Sequence, residues 1–174
     1  ALAVHRIVGD WDSWGWSYGK NMYAYKPAGG RWAMVPWDLD FSYGTVGLAG
    51  GNPASDTPTA DLFSNASNYD GGAPGDPVAT TFRNHPQFRR AYARALLDAA
   101  NGPMADAAVQ SRLNLILAAL QAEGFTPASP EGIRTYIGGR RTYILGQLAS
   151  LLNAPLAVTS NGGNDFTTDS RELR

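Results

Sequence analysis

Acidic and amide side chains that could take part in chemistry are concentrated in the first part of the chain. Asp38 and Asp40 lie two residues apart, so they project from the same side of an extended chain. If the amide of Asn21 lies beside them, the three side chains either repel one another or bind a hard cation such as Mg²⁺. Upstream, Asp10 and Asp12 are typical turn or capping residues when taken alone. Their position just before this group makes them candidate general bases.

The residues between these acidic groups predict a β-hairpin. Residues 21–26 and 31–35 alternate as two strands do, and a Pro-Ala-Gly-Gly sequence joins them. Pairing the last residue of the first arm with the first residue of the second sets Asn21 opposite Pro36. The hairpin is therefore the element expected to bring Asn21 beside Asp38.

The order of these groups is that of a phosphoryl-transfer site. Protein kinases place a catalytic Asp, then a Mg²⁺-binding Asn, then a hairpin, then a second Mg²⁺-binding Asp. Here Asp10, Asn21 and Asp38 follow in the same order, with Asp12 as a second candidate for the base. Catalysis would consist of positioning and charge neutralisation, with the Asp accepting the proton of a hydroxyl group. The simpler interpretation is an acidic loop that solvates one end of a hairpin.

Length, charge and composition exclude several classes of function. A chain of 174 residues can form one domain with a real core. A net charge of −1 argues against a nucleic-acid surface held by bulk electrostatics. The absence of cysteine excludes disulfides and thiolate metal sites, and no apolar run approaches transmembrane length. The chain begins without Met or a basic leader, so we expect it to be a fragment of a longer protein.

The composition changes along the chain and predicts an α+β fold. All five Trp lie in the first half, whereas residues 86–153 are rich in Ala and Leu. This pattern indicates a β- and loop-rich front followed by a block of about three helices, without the alternation of a parallel sheet. The polar stretch at 45–77, with Leu62 and Phe63 in its middle, is typical of a functional flap or a disordered excursion. Its glycines lack the strand and helix context of a phosphate-binding loop.

Helix signals are strongest in the second half. The apolar periodicity predicts a short helix near 78–83 and longer ones over 86–101 and 105–123. A third long helix is predicted from 131 onward, with Ser129 as its N-cap. Near the N-terminus, residues 2–8 read either as the last turns of a helix or as a short strand.

Arg141 is the one charged residue on the apolar stripe predicted for the last helix. It lies four residues after Ile137 and three before Ile144. An unpaired buried charge costs several kcal/mol. We therefore expect Arg141 to act as an anchor that pairs with an Asp or Glu from the front half.

Aromatic and histidine residues leave alternatives open. Trp11, Trp14 and Trp16 lie in the loop before the hairpin, where they either pack beneath the loop, stack on a sugar or base, or line an active site. His5 and His85 are the only histidines. A hydrogen-bonded structural role is favoured over a two-histidine metal site.

Several short segments form a set that recurs together in one family. They are GDW at 9–11, KNMYAY at 20–25, RW at 31–32, PWDLDF at 36–41 with Gly44, HPQFRR at 85–90, and the helix of Arg141. Over roughly residues 1–152, the chain resembles the spore-coat CotH kinase family. This resemblance implies a protein-kinase-like C-terminal lobe and an atypical, secreted or surface-associated kinase. It also implies ATP and Mg²⁺ as cofactors and a Ser or Thr hydroxyl of a protein as acceptor.

The resemblance also implies roles for individual residues. Asp10 resembles the family's catalytic aspartate, and Asp12 remains the alternative because the loop that follows is long and aromatic. Asn21 and Asp38 match the positions that bind the metal and, through it, the nucleotide. Asp40 is a second acidic contributor to the metal site.

The same resemblance predicts how the domain is divided. The strands that cover the nucleotide and the phosphate-binding lysine would precede residue 1. We therefore expect residues 1–153 to be the C-terminal, catalytic portion of a kinase without its N-terminal lobe, and inactive alone. Residues 154–174 read as a linker or the start of a β-rich module.

Two further functions compete with the kinase interpretation. One is a non-catalytic extracellular module whose tryptophan loop binds glycans. The other is metal-assisted hydrolysis at Asp10, Asp38 and Asp40, which lacks the histidines and extra carboxylates such sites commonly show. For the kinase we expect ATP and a protein substrate as partners, no nucleic acid, no membrane span in this chain, and an extracellular or cell-surface location.

Overall fold

The computed structural model describes residues 2–10, 12–14, 21–44, 57–63 and 77–152. These residues form one antiparallel hairpin and a set of helices, so the predicted α+β class is confirmed. No helix among them is long and apolar enough to cross a membrane. In chain order the elements are α1 (Leu2–Val8), β1 (Met22–Tyr25), β2 (Ala33–Pro36), α2 (Pro77–Asn84), α3 (Pro86–Asn101), α4 (Asp106–Ala122) and α5 (Glu131–Leu152).

The helix ends follow the local signals in the sequence. Pro86 opens α3, where its missing N–H would have no partner in any case. The same helix ends where the backbone N–H of Gly102 donates to the carbonyls of Asp98 and Ala99. Before α5, the Ser129 hydroxyl accepts a hydrogen bond from a backbone N–H two residues later. The predicted long helices are therefore confirmed to within one or two residues at most ends.

The core lies between α1, α3 and α5. The segment 57–63 packs against these helices through Leu62, whose carbonyl accepts a hydrogen bond from the Tyr92 hydroxyl at 2.7 Å. Helix α4 adds little to this core, because Val109 is the only buried residue of that helix. The buried cluster consists of Leu62, Tyr92, Ala93, Leu96, Ala100, Met104, Ile144 and Leu148.

Parts of two predictions lie outside the described residues. The predicted flap at 45–77 is described only at 57–63 and at Pro77. Leu62, in the middle of this stretch, is buried. The predicted linker or module at 154–174 lies wholly outside the described residues. The division of the chain at residue 153 therefore stays a prediction.

The hairpin forms as predicted, but the predicted register is wrong by one residue. Met22 pairs with Pro36 and Tyr25 pairs with Ala33, so Asn21 lies opposite Trp37 instead of Pro36. The loop between the strands, residues 26–32, is longer than the predicted four-residue turn. A shift of one residue exchanges the two faces of a strand. It nevertheless leaves Asn21 next to the acidic segment.

The prediction that Arg141 is a buried residue paired with an acidic side chain is also wrong. The buried arginine of α5 is the preceding residue, Arg140. Arg141 is half-buried, and its Nε donates to the carbonyl of Ala100 at 2.8 Å. Within the described residues it has no acidic partner. Arg140 is fully buried. The buried side of α5 therefore runs through Tyr136, Arg140, Ile144 and Leu148, four residues apart, and is rotated by about one residue from the predicted stripe.

Arg140 joins α5 to two other segments of the backbone through three carbonyls. Its Nε and one terminal nitrogen donate to the carbonyl of Arg6 at 3.1 and 2.8 Å, and its other terminal nitrogen donates to the carbonyls of Pro58 and Ala60. Burial lowers the pKa of Arg140, and burial together with the other arginines lowers the pKa of Arg6 to about 9. The carbonyl dipoles therefore replace the water that the Arg140 guanidinium loses, and they fix α5 against α1 and residues 57–63.

We expect Arg140→Met to destabilise the fold strongly, because three main-chain carbonyls would lose a buried donor. The expected loss of unfolding free energy is about 3 kcal/mol or more. Arg141→Met is the matched control, and it should cost about 1 kcal/mol because it removes a single bond to one carbonyl. Urea unfolding followed by circular dichroism measures both. Equal losses of unfolding free energy in the two variants would contradict the conclusion that Arg140 is the buried anchor of α5.

Candidate functional site

Unusual backbone conformations occur just before and after the hairpin strands and again at Tyr43. Asn21, Asp38 and Tyr43 have positive φ angles of 57°, 58° and 60°. Such angles are uncommon outside glycine, although Asn and Asp tolerate them best. Strained backbone of this kind tends to collect at functional sites. The conformations therefore point to the same place as the acidic residues singled out in the sequence.

Asp10 lies in the protein interior behind the site. Its side chain has no exposed surface, and its Oδ2 accepts a hydrogen bond from His5 Nδ1 at 2.9 Å. Its backbone N–H donates to the carbonyl of His5, and its own carbonyl accepts the hydroxyl of Ser13 at 2.8 Å. The structural, hydrogen-bonded role predicted for His5 is confirmed. Within the described residues, Asp10 Oδ1 and His5 Nε2 are buried without a hydrogen-bond partner.

Asp12 has a different environment from Asp10. It is only partly buried, and Asn21 Nδ2 donates to its carbonyl at 2.7 Å and to its Oδ2 at 3.3 Å. Asn21 itself is buried at 8% exposure, so this contact is sheltered from water. Because the amide nitrogen is used here, the amide oxygen is left as an acceptor or metal ligand. The first residue of the hairpin is thus joined to one of the two candidate bases.

Asp38 lies directly after the residue that faces Asn21. The backbone N–H of Trp37 donates to the Asn21 carbonyl at 3.1 Å, which places Asp38 at the exit of the hairpin. Asp38 and Asp40 are both exposed, so their carboxylates are open to a ligand. This group of oxygens has the donor chemistry that Mg²⁺ prefers.

Any metal site here would depend on more than carboxylates. In the described part of the chain, no group of three or more His, Cys, Asp or Glu residues is arranged to hold a metal ion. Asn21 Oδ1, Asp38 and Asp40 would supply the protein ligands, and water and substrate phosphates would complete the six positions of Mg²⁺. The donor set therefore fits a cation that arrives with a nucleotide.

Helix α5 supports the turn that carries the candidate bases. The backbone N–H of Tyr43 donates to the carbonyl of Val8, and its ring meets the edge of Tyr136 at 6.0 Å. Gly9 has a φ of +70°, and a Cβ at this position would overlap the Tyr136 hydroxyl. Sequence reasoning missed Tyr136 and Arg140. The available signal was their spacing of four residues on a line that continues to Ile144.

The aromatic residues near the site divide into buried and exposed groups. Trp14 is buried and its ring meets the edge of Phe82 at 6.5 Å, as the packing interpretation expects. Trp11 and Trp16 lie outside the described residues. On the hairpin, the rings of Tyr23 and Trp37 stack at 5.9 Å and are largely exposed.

Comparison with known proteins identifies one family. The model of the family described as CotH kinase protein matches residues 2–142. Comparisons with curated proteins and with solved structures gave no significant match.

We expect Gly9→Ala to disturb the site turn, because an added methyl group would meet Tyr136 and the backbone would be strained at positive φ. The expected loss of unfolding free energy is about 2–4 kcal/mol. Gly29→Ala is the matched control. It has the same backbone strain, with a φ of +69°, but open space around the new methyl, so about 1 kcal/mol is expected. Thermal unfolding of the two variants makes the comparison, and a Gly9→Ala loss no larger than the control would show that Tyr136 does not press on the turn.

Proposed function

The chain belongs to the CotH kinase family, and we propose that it transfers the γ-phosphoryl group of Mg²⁺-ATP to a Ser or Thr hydroxyl of a protein. The observation that carries the proposal is the contact between Asn21 and Asp12 at the start of the hairpin, with Asp38 at the hairpin's exit. This arrangement brings together a candidate base, Asp12, and two residues with oxygen ligands for a metal, Asn21 and Asp38. Phosphoryl transfer needs such a base and such metal ligands.

The proposal assigns the base to Asp12 in preference to Asp10. A general base must come within about 2.6–3.2 Å of the hydroxyl oxygen whose proton it accepts. Asp10 has no exposed surface, and one of its carboxylate oxygens is bound to His5. Asp12 is partly exposed, and Asn21 orients it through two contacts. Its accessibility and its orientation both support the assignment.

In the proposed mechanism, the chain's own residues position the reacting groups. The hydroxyl oxygen forms the new bond to the γ-phosphorus while the bond to the β–γ bridging oxygen breaks, ADP leaves, and the hydroxyl proton passes to the Asp12 carboxylate. Asn21 holds Asp12 with its amide nitrogen and offers its oxygen, together with Asp38 and Asp40, to the metal. When bound, Mg²⁺ neutralises charge on the phosphate oxygens. Asn21 would therefore fix the base relative to the nucleotide.

The wider parts of the proposal rest on the family. They are a kinase-like lobe, a role as the catalytic portion of a larger kinase, a protein substrate, and an extracellular or cell-surface location. The alternative of a glycan-binding tryptophan loop gains no support from Trp14, since its ring is buried against Phe82 instead of presented to solvent.

We expect Asp12→Asn and Asp38→Asn in the full-length protein each to lower kcat at least about 100-fold, because one removes the base and the other removes charge from the metal site. Asn is chosen at 38 because it tolerates the positive φ of that residue. Mg²⁺-dependent ATP turnover and phosphate transfer to a protein substrate provide the measurement.

Asp98→Asn is the matched control, because Asp98 is an exposed residue of α3 whose carboxylate, within the described residues, pairs with Arg94 on the same helix. It should leave kcat unchanged within about twofold, as exposed ion pairs contribute little. The proposed function fails if the full-length protein shows no Mg²⁺-dependent turnover, or if Asp38→Asn behaves like the control.

A further inference from the structure

We propose that His5 is a positioning residue for the proposed kinase site, which acts by holding Asp10 and, through it, the backbone of Asp12. The inference rests on the proposed function for its activity test. Within the described residues, His5 forms no hydrogen bond to Asp12 or to the candidate metal ligands.

His5 holds Asp10 at two points. The ring has no exposed surface, and its Nδ1 lies 2.9 Å from Asp10 Oδ2. Because a carboxylate can only accept, Nδ1 carries the hydrogen in this bond. The carbonyl of His5 also accepts the backbone N–H of Asp10 at 3.1 Å. One residue of α1 thereby fixes both the side chain and the main chain of Asp10.

Asp10 in turn holds Ser13, the residue that follows the candidate base Asp12. Its carbonyl accepts the Ser13 hydroxyl at 2.8 Å, so the turn is closed across Asp12. The carbonyl of Asp12 accepts Asn21 Nδ2 at 2.7 Å. With positions 10 and 13 both held, the carbonyl and carboxylate of Asp12 have little freedom to move away from Asn21. A loss of the bond between His5 and Asp10 would release this constraint.

Core packing alone does not explain why His5 and Asp10 occupy these buried positions. Asp10 Oδ1 and His5 Nε2 are buried without hydrogen-bond partners in the described part of the chain. Buried polar atoms of this kind are costly, and an apolar pair of similar size would pack without that cost. What His5 and Asp10 supply, and an apolar pair cannot, is a directional bond that sets the Asp10 position.

The test compares two amide replacements of His5 in the full-length protein. The amide nitrogen of Asn occupies nearly the place of Nδ1, whereas that of Gln reaches the place of Nε2. His5→Asn should retain most of kcat, within about threefold, while His5→Gln should lower kcat about 10- to 100-fold because the base is no longer held in line. The KM for ATP should change less than about twofold in both. Equal kcat values for the two variants would overturn the inference.

A double-mutant comparison separates positioning from general damage. If His5 acts through Asp12, adding His5→Gln to Asp12→Asn should lower kcat by less than about twofold beyond Asp12→Asn alone. A purely structural effect would multiply with the loss of the base. Ser13→Ala removes one hydroxyl, and with it the hydrogen bond from Ser13 to the Asp10 carbonyl. It should lower kcat about three- to tenfold at constant KM. Full activity in Ser13→Ala would contradict the proposal that the turn from Asp10 to Ser13 holds Asp12. This result can be read even if His5→Gln does not fold.

A spectroscopic readout distinguishes failure of this inference from failure of the proposed function. The Asn21 side-chain amide protons, bonded to Asp12, should exchange with solvent about tenfold faster in His5→Gln than in the wild type or His5→Asn. If the wild type shows no Mg²⁺-dependent turnover, the proposed function fails and this exchange difference alone decides the inference. The same protection in all three proteins would overturn it.

Discussion

The rest of the structure depends on one buried guanidinium, that of Arg140, whose N–H groups are taken up by backbone carbonyls. The Arg140 guanidinium donates to carbonyls at the end of α1 and in residues 57–63, and it lies on the helix that also carries Tyr136. A guanidinium holds five N–H donors in a rigid planar fork, whereas a lysine ammonium offers three on a flexible stem. Helix α5 is thereby joined to chain segments that lie 80 and 134 residues away in sequence.

The candidate site is built on the end of α1 that this cation holds. From Arg6 the chain passes through the turn at Gly9 and Asp10, and on to Asp12, where Asn21 joins it to the hairpin. The hairpin alone would be marginal, since two strands without a further layer seldom persist in water. Attachment at its base gives Asn21 a fixed position, and the N–H of Trp37 extends that order to the residue before Asp38. The geometry of the site is therefore a property of the helical block as well as of the hairpin.

Sequence reasoning succeeded where local patterns decide the outcome and failed where distant contacts do. The hairpin, the long helices and the closeness of Asn21 to the acidic segment follow from residue alternation, periodicity and capping. The predicted register was wrong because Lys26, Arg31 and Trp32 belong to the loop. No local sequence rule decides where the strands end and this loop begins. The assignment of Arg141 failed because a helix with a weak apolar stripe can rotate by one residue and bury Arg140 instead. The difference between Asp10 and Asp12 depends on His5 and Asn21, and only the folded chain shows which acid each of them meets.

The amide of Asn21 also exposes the site to a form of chemical ageing. Its nitrogen faces the carbonyl and carboxylate of Asp12, so deamidation to aspartate would exchange a donor for an oxygen and add a negative charge there. A hydrogen bond would become a repulsion between two carboxylates, with no change in side-chain shape. The same reaction would leave the buried core untouched. The protein could thus lose the order of its site through the conversion of one amide while the fold itself persists.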